Sequence, residues 1–256
     1  EKKNMEKQLI IIEPCVVLRG RGREALAGKW KEGAIAAAIF MACTQIPVYL
    51  LDSLFGKVYY AFGEEVARGT TLSGIYMLLI YGPFVFGITL YFMNMFRKKE
   101  TDYSQLFSGF EYFIKTFCLM LVMGIFIFLW TLLFIVPGII AAIRYSQAFL
   151  ILVDDQTKGI MQCIDESKRR MAGNKLKYFC LQLSFIGWLI LATLPATIIS
   201  SIFGLITGNY FIMQIGAFIG GAGLFFVYAY MYTSMVGFYE ILTGRLKGET
   251  YTPGEY

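Results

Sequence analysis

The sequence contains no histidine. That removes His-based acid–base catalysis, His-activated nucleophiles and imidazole metal ligands together. Charged residues make up only 16% of the 256 positions against 57% hydrophobic, too little polar surface to cover a water-soluble globule of this length. The five cysteines, Cys15, Cys43, Cys118, Cys163 and Cys180, are odd in number and hold no CxxC pair, so no disulfide framework or thiolate metal site is expected. GxxxxGK[ST], GxSxG and HExxH motifs are missing too, which argues against nucleotide-driven pumping and common hydrolase chemistry. The expectation is a non-enzyme without metal or cofactor.

What is present is a series of apolar windows long enough to cross a hydrocarbon core of about 30 Å. Six are read: Gly33 to Phe55, Leu72 to Phe96, Thr116 to Val136, Gly138 to Val153, Phe179 to Phe203 and Phe211 to Tyr239. The expected fold is an all-α polytopic membrane protein of three hairpins, with short interfacial helices on the cytoplasmic side. Residues 19–243 form the membrane domain, 1–18 an unassigned segment and 244–256 a cytoplasmic tail.

Placing the N-terminus in the cytoplasm puts 20 of the 23 Lys and Arg inside and leaves Lys57 and Arg68 outside, with Arg144 within a span. Basic residues near span ends resist translocation, so both termini are expected inside a plasma membrane. The net charge of +5 follows the inner face. Its expected partner is anionic lipid headgroups rather than nucleic acid.

A polar stretch, a glycine and then a span recur three times: "REALAGKWKEGAIAAAIF" around Gly28, "SQLFSGFEYFIKTFCLML" around Gly109 and "SKRRMAGNKLKYFCLQLS" around Gly173. The pattern predicts surface helices ending near each glycine. In "GAFIGGAG", Gly216, Gly220 and Gly223 share a helical face suited to close packing, within the chain or against a membrane-protein partner or second copy. Asp154 and Asp155 read as caps for the following helix, and Glu64 and Glu65 with Arg68 as solvated charges.

The stretches "VPGIIAAIRYSQAFLILVDD", "SKRRMAGNKLKYFCLQLSFIGW", "FYEIL" and "RGREALAGKWKEGAIAAAIF" resemble an uncharacterised bacterial membrane family, domain of unknown function 975. That family is more distantly similar to the membrane part of certain glycerophosphodiester phosphodiesterases. The resemblance implies a lipid-proximal, non-catalytic module and carries over no catalytic residue.

Arg144 stands alone in an apolar window. A central Arg costs about 2.5 to 3.5 kcal/mol on insertion scales, so it should face protein or water. Counting along the helix from Pro137 puts it about a third of the way in from the outside. At that depth Gln45, Tyr81, Thr193, Thr197 and Gln214 are expected beside it, with Asp52 as its ionic partner. Two functions are open: a protein that binds or moves a lipid or other amphiphile in that cavity, or an accessory, regulatory or immunity-type protein acting on a membrane partner. The topology is testable by single-cysteine labelling. Positions 99 and 170 should resist an impermeant thiol reagent added outside, and modification of either overturns the orientation.

Overall fold

The computed structural model describes residues 9–61 and 64–251. Helices α1 (Cys15–Ala25), α2 (Trp30–Phe55), α3 (Thr71–Phe96), α4 (Phe113–Leu133), α5 (Ile135–Tyr145), α6 (Ala148–Asp154), α7 (Ile160–Arg170), α8 (Lys175–Leu183), α9 (Ile186–Thr207), α10 (Tyr210–Gly220) and α11 (Ala222–Leu242) follow in order, with a 3-10 helix at Tyr103–Phe110. Five stretches are long and apolar enough to cross a membrane: Trp30–Phe55, Thr71–Phe96, Phe113–Leu133, Ile135–Asp154 and Lys175–Thr207. The pair α10 and α11, bent by 56°, adds a sixth if counted as one span.

Local chemistry sets the breaks. Phe134 alone, in extended conformation, turns α4 into α5, and Pro137 falls in the first turn of α5, where its missing N–H removes no bond. Gly208 ends α9 at φ +59°, and the Asn209 side chain then caps α10 by accepting from the amides of Phe211 and Ile212. The sixth expected span is therefore not one straight helix. A Cβ on Gly220 would lie 2.8 Å from the Ala196 Cα and the Pro195 carbonyl oxygen, so α10 is pressed onto α9 and the chain turns at Gly221.

Two small sheets qualify the all-α expectation. Strands β2 (Lys57–Ala61) and β3 (Glu64–Gly69) make an antiparallel hairpin in the loop between α2 and α3. The side chains of Glu64, Glu65 and Arg68, read as solvated, lie outside the described residues. Strand β1 (Ile10–Ile11) pairs with β4 (Thr250–Tyr251), joining the N-terminal segment to the C-terminal tail. Nor does the described part of residues 1–18 stand apart. Buried Asn174 accepts from the Ile11 amide at 2.8 Å and donates to the Leu9 carbonyl at 2.8 Å, while buried Glu13 receives Arg21 and the Glu249 amide.

Two of the three glycine units share one geometry. Helix α1 ends at fully buried Leu26 and α7 at fully buried Met171, and Gly28 and Gly173 follow, both at φ +78°. The middle unit differs. Leu106 is again fully buried, but Gly109 lies within the 3-10 helix, against the Pro83 carbonyl of α3.

The core is concentrated towards the end of the molecule that carries the charged segments. There Phe84 to Met95, Leu106, Tyr145 to Val153, Val236 and Tyr239 pack in one cluster, and Leu18, Ile143, Phe185, Phe238, Ile241 and Leu242 in a second. Elsewhere Phe128 to Trp130 and Leu132 to Val136, with Ile190, Leu191, Leu194 and Ile198 on α9, remain exposed. Such a continuous apolar exterior suits hydrocarbon rather than water.

The two kinds of glycine should separate in a stability assay. A methyl on Gly87 meets the backbone of Leu106, whereas one on Gly74 or Gly124 meets nothing within 4 Å. Gly87→Ala should destabilise the detergent-solubilised protein by about 2 kcal/mol or more, and Gly124→Ala should leave its melting temperature unchanged or slightly higher. Equal melting temperatures for the two variants would contradict this packing.

Candidate functional site

Where α3, α6 and α11 end together, four charges neutralise one another. Arg97 donates to Glu240 through Nε at 2.9 Å and Nη2 at 2.6 Å, and to Asp154 at 3.0 Å. Arg245 holds both oxygens of Asp154, at 2.8 and 2.6 Å, and the Tyr239 hydroxyl donates to the same carboxylate at 3.0 Å. The Asp154 bonds raise the Arg245 pKa further above its ordinary value. Asp154 is thus the hub of a compensated lattice rather than a helix cap.

Capping of the next segment falls to other residues. Asp155 accepts from the Thr157 hydroxyl and amide, which hold its carboxyl below the usual range. Gln162 reaches back to the Gly159 amide at 2.8 Å, at the start of α7.

The second polar assembly surrounds a break. Between α5 and α6 the chain leaves regular helix at Ser146 and Gln147. Ser167 of α7 bridges the gap, donating to the Arg144 carbonyl at 2.8 Å and accepting from the Gln147 amide at 3.2 Å. Ser167 and Gln147 are both fully buried. The Gln147 side chain donates to Ser146 at 2.9 Å while its Oε1 has no partner, and the Tyr178 hydroxyl of α8 is directed towards Ser146, Gln147 and Gln182.

Arg144 is half-buried at the end of α5, one helical repeat from exposed Ile140, which shares its helix face. Among the described residues its guanidinium makes no hydrogen bond and no ion pair. Arg21, Arg97, Arg170 and Arg245, by contrast, all hold carboxylates. Helix α7 folds back on α5, so the Arg144 carbonyl meets Ser167 of the helix bearing Lys168, Arg169 and Arg170.

The other candidates are not gathered around Arg144. Asp52 does not pair with it. Buried in the last turn of α2, it accepts from the Thr70 amide at 2.9 Å and pins the β-hairpin to the start of α3. Thr193 and Thr197 bond back to the Ile190 and Leu194 carbonyls of their own helix. Gln45 and Gln214 are half-buried on α2 and α10, and the half-buried Tyr81 ring is 6.3 Å from that of Phe40. The glycine face is occupied within the chain: Gly216 lies against Phe203, Gly220 against Ala196 and Gly223 against Ala192, all on α9.

Ser167, Gln147 and Tyr178 were not singled out from sequence as partners of this region. The available signal was the polar run Arg144 to Gln147 inside an apolar window, which marks the break but not what fills it. In the comparisons, a family model described as "Protein of unknown function (DUF975)" matches residues 15–143 and 132–246. No curated protein and no solved structure matches, and the expected distant likeness to glycerophosphodiester phosphodiesterases is not shown.

A titratable cluster centred on buried Glu166 lies within α7 and its lead-in. Burial pushes the Glu166 carboxyl up, but Lys158 at 2.7 Å and Arg170 at 2.9 Å outweigh it and leave the group below its ordinary value of 4.5. A depressed carboxylate stabilises the folded state fully above the unfolded value, and that contribution disappears as pH falls through the folded one. The helical order of α7, followed by amide exchange over residues 160–170, should be constant from neutrality down to about pH 5 and weaken below about 4.5. Glu166→Gln should abolish that acid-induced change and give faster exchange already at pH 7.

Proposed function

This chain belongs to the DUF975 family, and on that premise we propose that it is a six-span membrane protein, with both termini cytoplasmic, that binds or moves an anionic lipid at Arg144. The reading gives the chain a binding rather than a catalytic role. The positive-inside asymmetry supports the topology and a plasma-membrane location. With α7 on the inner side, Arg144 belongs to the inner leaflet, and the glycine-ended helices lie at that leaflet's headgroups.

The observation carrying the proposal is that the Arg144 guanidinium has no ionic or hydrogen-bond partner among the described residues. A charge at the border of a hydrocarbon face is stabilised by an anion or by water, and a phosphodiester accepts the planar two-pronged donor of Arg well. Exposed Val136, Ile139 and Ile140 continue along α5 from Arg144, an apolar surface on which acyl chains can lie. The alternative reading, a partner docked on the glycine face, has less support because α9 already fills that face.

Lipid retention tests the proposal. Wild type, Arg144→Lys and Arg144→Gln purified from one membrane source should all remain folded and monodisperse. Retention of anionic phospholipid, measured by native mass spectrometry, should fall about tenfold in Arg144→Gln and by less in Arg144→Lys. Identical retention by all three proteins would sink the proposal.

A further inference from the structure

Where α7 crosses the α5–α6 break, it brings a cation of its own to the contact with the Arg144 backbone. Ser167 is bonded to the Arg144 carbonyl, and the next residue, Lys168, holds its ammonium 5.8 Å from the ring centroid of Tyr145 and 5.9 Å from that of Phe126. Among the described residues its ionic partner is Asp165 at 2.8 Å, one turn back on the same helix and half exposed. Exposed pairs at that spacing are weak and exchange readily. Arg144 and Lys168 therefore flank a single interhelical contact, one without an ionic partner and the other weakly held.

The attachment of α7 is itself finely balanced. The helix buries two apolar side chains, Cys163 and Ile164, alongside the polar Glu166 and Ser167. Gly159 precedes it, and Gly173, at φ +78°, follows shortly after. Its bonds to the body include the Ser167 bridge and the Arg170 contact with the Leu242 carbonyl. A short helix anchored partly through such polar bonds, between two glycine-bearing turns, is suited to exchange between two positions.

We propose that α7 completes the lipid site: Lys168 supplies a second cation beside Arg144, and the Ser167 bridge determines whether α7 is in place to supply it. This rests on the anionic-lipid reading of Arg144. A phosphodiester headgroup held between the two cations ties α7 to α5, so lipid binding and closure of α7 favour each other by linkage. Inorganic phosphate shares the anion chemistry but lacks the acyl chains that would lie on α5.

Cys163, a fully buried residue of α7, reports closure directly. In full-length protein with Cys15, Cys43, Cys118 and Cys180 replaced, maleimide labelling of Cys163 should be about tenfold slower in phosphatidylglycerol nanodiscs than in phosphatidylcholine nanodiscs. Arg144→Gln and Lys168→Gln should each abolish that difference and lower phosphatidylglycerol retention, and Ser167→Ala should speed labelling in both lipids. If Arg144→Gln loses the lipid while Lys168→Gln keeps both lipid and slowing, the lipid reading stands and the role of α7 is overturned. If neither variant loses lipid, both fall. Equal protection by inorganic phosphate in phosphatidylcholine overturns the lipid as occupant. Should Ser167→Ala fail to assemble, amide exchange over residues 160–170 of wild type reads the same equilibrium, and identical exchange in the two lipids overturns the proposal.

Discussion

A polar group held away from water must find its partner inside the protein, and much of this architecture follows from that requirement. In hydrocarbon an unpaired backbone amide or carbonyl costs several kcal/mol, so irregular backbone is tolerated only where protein or water covers it. The α5–α6 break meets this condition because Ser167 arrives from another helix as both donor and acceptor. Asn174 does the same for the segment before α1, using its amide to bind the backbone on both sides of Leu9 to Ile11. Each is a short side chain repairing backbone 20 or more residues away in sequence.

The same requirement divides the charges into two groups. Arg97, Asp154, Glu240 and Arg245 satisfy one another and fix the ends of α3, α6 and α11, which leaves the lattice little capacity for a ligand. Removing one member would strand its neighbours, the costly way to break a partly buried pair. Arg144 is treated differently by the fold, which supports its backbone and leaves its guanidinium open. That contrast, rather than any enclosed cavity, separates structural charge from candidate functional charge.

Sequence legibility followed the range of the interactions involved. The first two spans were read to within three residues, since charge and turn residues bound their apolar windows: Gly33 to Phe55 against Trp30–Phe55, and Leu72 to Phe96 against Thr71–Phe96. The bend at Gly221 was not, because a glycine-rich run shows that backbones can approach without showing which one does. The contact between the Arg144 backbone and α7 was not legible for a related reason. Hydropathy counts position along one helix and contains nothing about α7 folding back against it. Asp52 lacked a legible partner because its bond runs to a backbone amide, and every residue except proline offers one.

The pairing of β1 with β4 bears on how the chain is made. Ile10 and Ile11 wait for Thr250 and Tyr251, and their other support, Asn174, is itself synthesised 163 residues after Ile11. During translation the first two spans therefore emerge and insert while the segment ahead of them has neither neighbour. Buried Glu13 likewise acquires the Glu249 amide only after the intervening spans have been made. Closure of this sheet is then a late biosynthetic event: a ribosome that stops short of β4 releases a chain whose spans can be in place while its N-terminal strand edge remains open for chaperones or proteases to recognise.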